Sequence, residues 1–169
     1  MSGLAALSVA SAGESHYGSA KSGVEITYDD AQWAASELIY PYFTCIAPDC
    51  GSASCLVIRS LDPDFAKWPE TIDKASLEAL DDIFLEYEQS GGHDAEIVQP
   101  LSAVTIGGRE TLVSVIRSKS AGGGFLSSKY MFRDAGDTRI VTCEGDEESI
   151  TALKGRIEAL IGAIKFTAQ

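Results

Sequence analysis

The chain is 169 residues long, 45% apolar, and carries 13 basic against 25 acidic side chains, for a net charge of −12 at neutral pH. That size and apolar content suit one domain with a real core and exclude disorder throughout. The acidity argues against nucleic acid and anionic membrane surfaces as partners, and no apolar run reaches the roughly 20 residues that span a bilayer.

Residues 1–22 are small and polar apart from Leu4 to Ala10. Ala10-Ser11-Ala12 has the small-x-small form of a signal-peptidase site, so the stretch reads as a signal-peptide remnant or a disordered tail. Residues 23–169 read as a single α+β domain. Gly23 to Tyr28 alternates like a strand, and Ala31 to Tyr40, with Trp33, reads as a second. Phe43 to Ile46 and Ser54 to Arg59 are two more, flanking the turn-rich loop Ala47 to Ala53. Asp62-Pro63-Asp64 opens a connector through Trp68-Pro69. A helix follows with Asp73 as N-cap, carrying Leu77, Leu80, Phe84 and Tyr87 at helical spacing and ending at Gly91-Gly92. Its acidic residues, Glu78, Asp81, Asp82, Glu86 and Glu88, read as a solvated face.

Ala95 to Gln99 and Ser102 to Ile106 read as strands split by Pro100. Gly107-Gly108 turns into three strands: Glu110 to Lys119, Phe125 to Asp134 and Thr138 to Glu144. The turns between them are Ala121 to Gly124 and Ala135-Gly136-Asp137, short enough to force antiparallel pairing. After Gly145, Asp146 caps a second helix whose apolar stripe is Ile150, Leu153, Ile157, Leu160, Ile161 and Ile164. The expected fold is α+β, one antiparallel sheet flanked by two main helices.

Cys45, Cys50, Cys55 and Cys143 suit two disulfides in an oxidising compartment, periplasmic or secreted; a cytoplasmic chain would hold them as buried thiols. Four cysteines permit three pairings, and the sequence does not choose between them; a hairpin joining the third and fourth strands would let Cys45 and Cys55 pair across it and free Cys50 to reach Cys143. The alternative is a metal site on Cys45, Cys50 and Cys55, although Cys-x4-Cys-x4-Cys is looser than a zinc knuckle. Ser90-Gly-Gly-His93-Asp94 holds the residue types of a hydrolase, but they are sequential on a turn, and there is no Gly-x-Ser-x-Gly elbow. No catalytic residue is assigned and no cofactor motif is present. Trp33, Tyr40 and Tyr42, with the cysteine loop, form the candidate recognition surface. The absence of Asn excludes N-linked glycosylation.

Gly108 to Ile116, Lys129-Tyr-Met-Phe-Arg133, Arg139-Ile-Val-Thr-Cys143, and Glu148 onward into Leu160-Ile-Gly-Ala-Ile-Lys-Phe166 resemble the Mog1/PsbP-like superfamily in element order and spacing. The resemblance covers Ile97 to Phe166. It implies an α/β/α sandwich, and proteins that bind partners or assist assemblies and are mostly not enzymes. No functional residue carries over. The chain is therefore expected to be a small non-enzymatic bacterial binding or accessory protein outside the cytoplasm, its protein or small-molecule partner unnamed.

Overall fold

The computed structural model describes residues 13–37, 39–59, 67–120, 123–134 and 137–167. Ala10-Ser11-Ala12, Leu38, Asp62-Pro63-Asp64 and the turn centres at 121–122 and 135–136 lie outside them. In chain order the elements are β1 (Glu14–Ser19), β2 (Val24–Asp29), β3 (Trp33–Glu37), β4 (Pro41–Cys45), β5 (Ser54–Arg59), α1 (Lys74–Ser90), β6 (Asp94–Ile106), β7 (Arg109–Ser120), β8 (Gly123–Asp134), β9 (Asp137–Gly145), α2 (Glu147–Ala163) and β10 (Ile164–Phe166).

The single expected sheet is two. A seven-stranded sheet runs β3-β4-β5-β9-β8-β7-β6, and a three-stranded sheet runs β1-β2-β10. The reason lies in β2. Its edges are taken by β1, with Tyr17 opposite Ile26, and by β10, with Ile164 opposite Ile26, so β3 must open a new ladder. Glu14–Ser19, read as part of the tail, is a strand because Tyr17 packs on Phe43 and Ser19 is buried. Within the large sheet every pairing is antiparallel. Pro100 does not split β6. Being an edge strand, β6 absorbs the missing donor through register shifts at Ile97/Gln99 and Gln99/Ser102.

Alternation sends Leu126, Ser128, Tyr130 and Phe132 to one face of β8 and Ser127, Lys129 and Met131 to the other, and all seven are buried. The first face meets α2 and the small sheet through Ile150, Leu153, Ile157, Leu160 and Ile161. Burying that stripe contributes on the order of 10 kcal/mol before entropy is counted. Ile164 ends the stripe in β10. The Gly107-Gly108 turn, with φ of 57° and 78°, lies so close to α2 that a Cβ on Gly107 would stand 2.6 Å from Gly162 Cα.

The second face meets α1 through Leu80 and Phe84 on Leu112, Ile116, Met131 and Ile140. The acidic face of α1 is not wholly solvated. Asp81 and Glu88, seven residues and so about two turns apart, share the buried side with Phe84. The Asp81 carboxylate accepts from Leu101 N (2.7 Å) and Ser114 Oγ (2.6 Å), and Glu88 pairs with Lys129 at 2.7 Å. Among the described residues no helix is long and apolar enough to cross a membrane.

Candidate site beside Trp33

The cysteines form two disulfides, Cys45–Cys50 and Cys55–Cys143, and none is free. This corrects the expected pairing across the hairpin. Register places Phe43, not Cys45, opposite Cys55, while Cys45 N donates to Ala53 O (3.0 Å). Turns closed by Cys50 N to Ala47 O and Ala53 N to Cys50 O fold Cys50 back onto Cys45. Cys55 lies directly opposite Cys143 on β9, with their Cα atoms 4.0 Å apart. The sulfurs of the alternative metal site are therefore all half-cystines here.

The loop between β4 and β5 docks on α2 at two points. Ser52 Oγ donates to the Asp146 N-cap (3.2 Å), and Gly51, at φ +55°, fits where a Cβ would run into Ser149 Oγ. About two turns past Ser149, both terminal nitrogens of Arg156 bind the Asp49 carboxylate, at 2.8 and 2.7 Å. This fork holds Asp49 well below its usual carboxylate range. Both side chains are substantially exposed, so the pair positions the loop more than it stabilises the fold.

Between β2, the β2–β3 turn and α2 lies a cleft of about 340 Å³ lined by Thr27, Tyr28, Asp29, Gln32, Trp33 and the Gly155-to-Leu160 flank of α2. The turn forms because Asp29 caps it. Its Oδ1 accepts from Ala31 N (3.0 Å), its Oδ2 from Gln32 Nε2 (2.6 Å), and its carbonyl from Gln32 N (3.1 Å). Gly155 and Ala159, spaced i, i+4, put two small residues on one flank of the helix and leave the cleft open. A Cβ added at Gly155 meets nothing within 4 Å.

Trp33 is buried, only 3% exposed, and contributes to the wall of this cleft. Tyr42 is on the other face of the sheet, since Trp33 is paired with buried Cys45 while Tyr42 alternates with it. Its hydroxyl donates to Ser54 Oγ (2.6 Å). Tyr40 sits half-exposed in the turn before β4. Trp33, Tyr40 and Tyr42 thus do not make one surface. His93 stacks edge-on against Phe125 at 5.3 Å, and Ser90 Oγ donates to Tyr87 O, so the turn does not assemble a nucleophile and base. Sequence reasoning missed Asp29, Gln32, Gly155 and Arg156. The one local signal was a glycine inside an otherwise helical pattern, which calls for a packing or functional reason.

No protein-family model and no curated protein matches the sequence. Solved structures match it in shape. Cyanobacterial PsbP (CyanoP) from Synechocystis sp. PCC 6803 superposes with a TM-score of 0.61 at 12% identity, over 94% of this chain and 95% of that one. A variant of the protein Mog1 gives 0.58 at 8% identity, over 93% and 97%. LpqN of Mycobacterium tuberculosis, involved in cell envelope biogenesis there, gives 0.52 at 12% identity, over 92% and 91%. The chain has the Mog1/PsbP-like fold. At these identities the likeness is one of fold, and no residue's role passes with it.

Proposed function

We propose that this chain is a non-enzymatic, extracytoplasmic binding protein that takes a small ligand in the cleft beside Trp33. The observation that carries the reading is the cleft itself. Its volume is in the range of small-molecule sites, its walls are aromatic and aliphatic, and its few polar groups are fixed by internal hydrogen bonds before any ligand arrives. Two disulfides with no free cysteine support a periplasmic or secreted location.

The test is ligand screening by amide NMR on the wild type and on Gly155→Leu. The added side chain has room to point into the cleft and replaces a helical glycine, so the variant keeps the fold and fills the site. Ligands that shift Gln32 and Gly155 in the wild type, and are lost in Gly155→Leu, support the reading. A screen whose hits bind both proteins equally removes it. Intact mass after alkylation of protein recovered from cells, with and without reduction, tests the compartment. Two intact disulfides are expected. Four alkylated thiols without reduction would place the chain in the cytoplasm and reopen metal handling by Cys45, Cys50 and Cys55.

A further inference from the structure

We propose that the cleft selects a small organic amine, a cationic group on an apolar body; the inference rests on the cleft being the binding site. Three charged groups decide its polarity: Asp29 on the lining, Arg156 on the lining, and Asp49 just outside on the cystine loop. Arg156 is spoken for, because both of its terminal nitrogens are bound to Asp49. Among the described residues Asp29 makes no direct ion pair, and Arg156 reaches it only through space. Its carboxylate accepts only from an amide N–H and the Gln32 side chain. Each of its oxygens therefore keeps a lone pair for a donor.

An anionic ligand would have to face Asp29, with Asp49 already holding the guanidinium on the lining. A cation meets the opposite situation. Asp29 and Asp49 set two negative charges against the single guanidinium of Arg156, and Tyr28, next to Asp29 in the sequence and in the lining, offers aromatic surface to an ammonium group or to the body that carries it, with buried Trp33 behind. Gly155, Ala159 and Leu160 provide the apolar bed on the opposite wall. The chain's net charge of −12 favours the approach of cations and disfavours anions.

The experiment titrates the wild type, Asp29→Asn and Gly155→Leu with three probes of one shape: 2-phenylethylamine, 2-phenylethanol and phenylacetate. Calorimetry gives affinity and amide NMR gives location. The amine is expected to bind roughly tenfold more tightly than the alcohol, the difference of one charge-assisted hydrogen bond, with the acid weakest. Asp29→Asn keeps an acceptor for the Ala31 amide and loses the charge, so the amine should bind it no more tightly than the alcohol does. If the alcohol or the acid binds in the cleft as tightly as the amine, the cleft stands and the amine inference falls. If the amine binds Gly155→Leu as it binds the wild type, or if no probe binds at about 10 mM, the cleft reading falls and takes the inference with it.

Discussion

Lys129 and Glu88 are each about 95% buried and meet at 2.7 Å between α1 and the sheet. Ser118 Oγ adds a long contact to Glu88, and the Tyr87 ring lies 5.7 Å from the ammonium. The pair is costly to desolvate, so its presence adds little, but breaking it strands a charge. Lys129→Met is expected to lose about 3–5 kcal/mol of stability in urea denaturation. The double variant Glu88→Leu, Lys129→Met is expected to recover most of that loss, since no charge remains unpaired. A single variant as stable as the wild type would show that the pair is solvated in solution. Gly51 makes a second demand at this scale. Gly51→Ala combines a positive φ with a collision at Ser149 Oγ and should cost about 2–3 kcal/mol, read by the same measurement.

At the scale of elements the two disulfides differ in what they constrain. Cys55–Cys143 spans 88 residues and joins β5 to β9, the seam where the β3-β4-β5 meander meets the β6-to-β9 meander. Cys45–Cys50 closes a loop five residues apart. Loop-closure entropy assigns about 4–5 kcal/mol to the first and about 2 to the second. Replacing Cys55 and Cys143 by Ala should therefore lower the urea midpoint by about twice as much as replacing Cys45 and Cys50. The reverse order would mean that the short loop, through Asp49 and Ser52, holds α2 in place. This seam is also where sequence reasoning stopped. The helix caps Asp73 and Asp146 were readable because each binds an amide three residues on, at Ser76 and Ser149. The three-strand meander was readable because its pairing is local. The disulfides were not, because they depend on β5 lying beside β9, a neighbour far away in sequence. Asp81 and Glu88 carried a legible signal, helical spacing with Phe84, which their charge overrode. Of the site, Trp33 was legible as an aromatic in a strand. Its partners on α2 enter only through tertiary packing.

For the molecule as a whole, the carboxylates that tie distant segments together set the response to pH. Asp146 joins the cystine loop to α2. The Ser149 hydroxyl, then the Ser149 amide, then Ser52 hold its carboxyl down at about 2. Asp73 is lowered by the Ser76 amide, Asp49 by Arg156, Glu147 by Arg117, and Glu37 by the Tyr17 hydroxyl and Ser19. A carboxyl whose folded pKa is depressed contributes stability that is complete above its unfolded value, near 4, and is lost as pH falls toward the folded value. The melting temperature should hold between about pH 7 and pH 5 and drop between about pH 4 and pH 2. Tyr17 works in the opposite direction. Burial, then its bond to Glu37, pushes its phenol up to about 12, so its contribution is complete below about pH 10 and fades as pH rises from there. Asp146→Asn separates the cap from the charge. Asn keeps an acceptor for the helix amide but loses the charge and the second oxygen that takes the Ser149 and Ser52 hydroxyls, so the melting temperature near neutrality should fall below that of the wild type. It does not titrate, so the acid limb should become shallower. An acid limb that overlays the wild type would mean that the junction between the cystine loop and α2 is not what acid breaks first, leaving the Arg117–Glu147 and Arg156–Asp49 pairs as the next groups to neutralise.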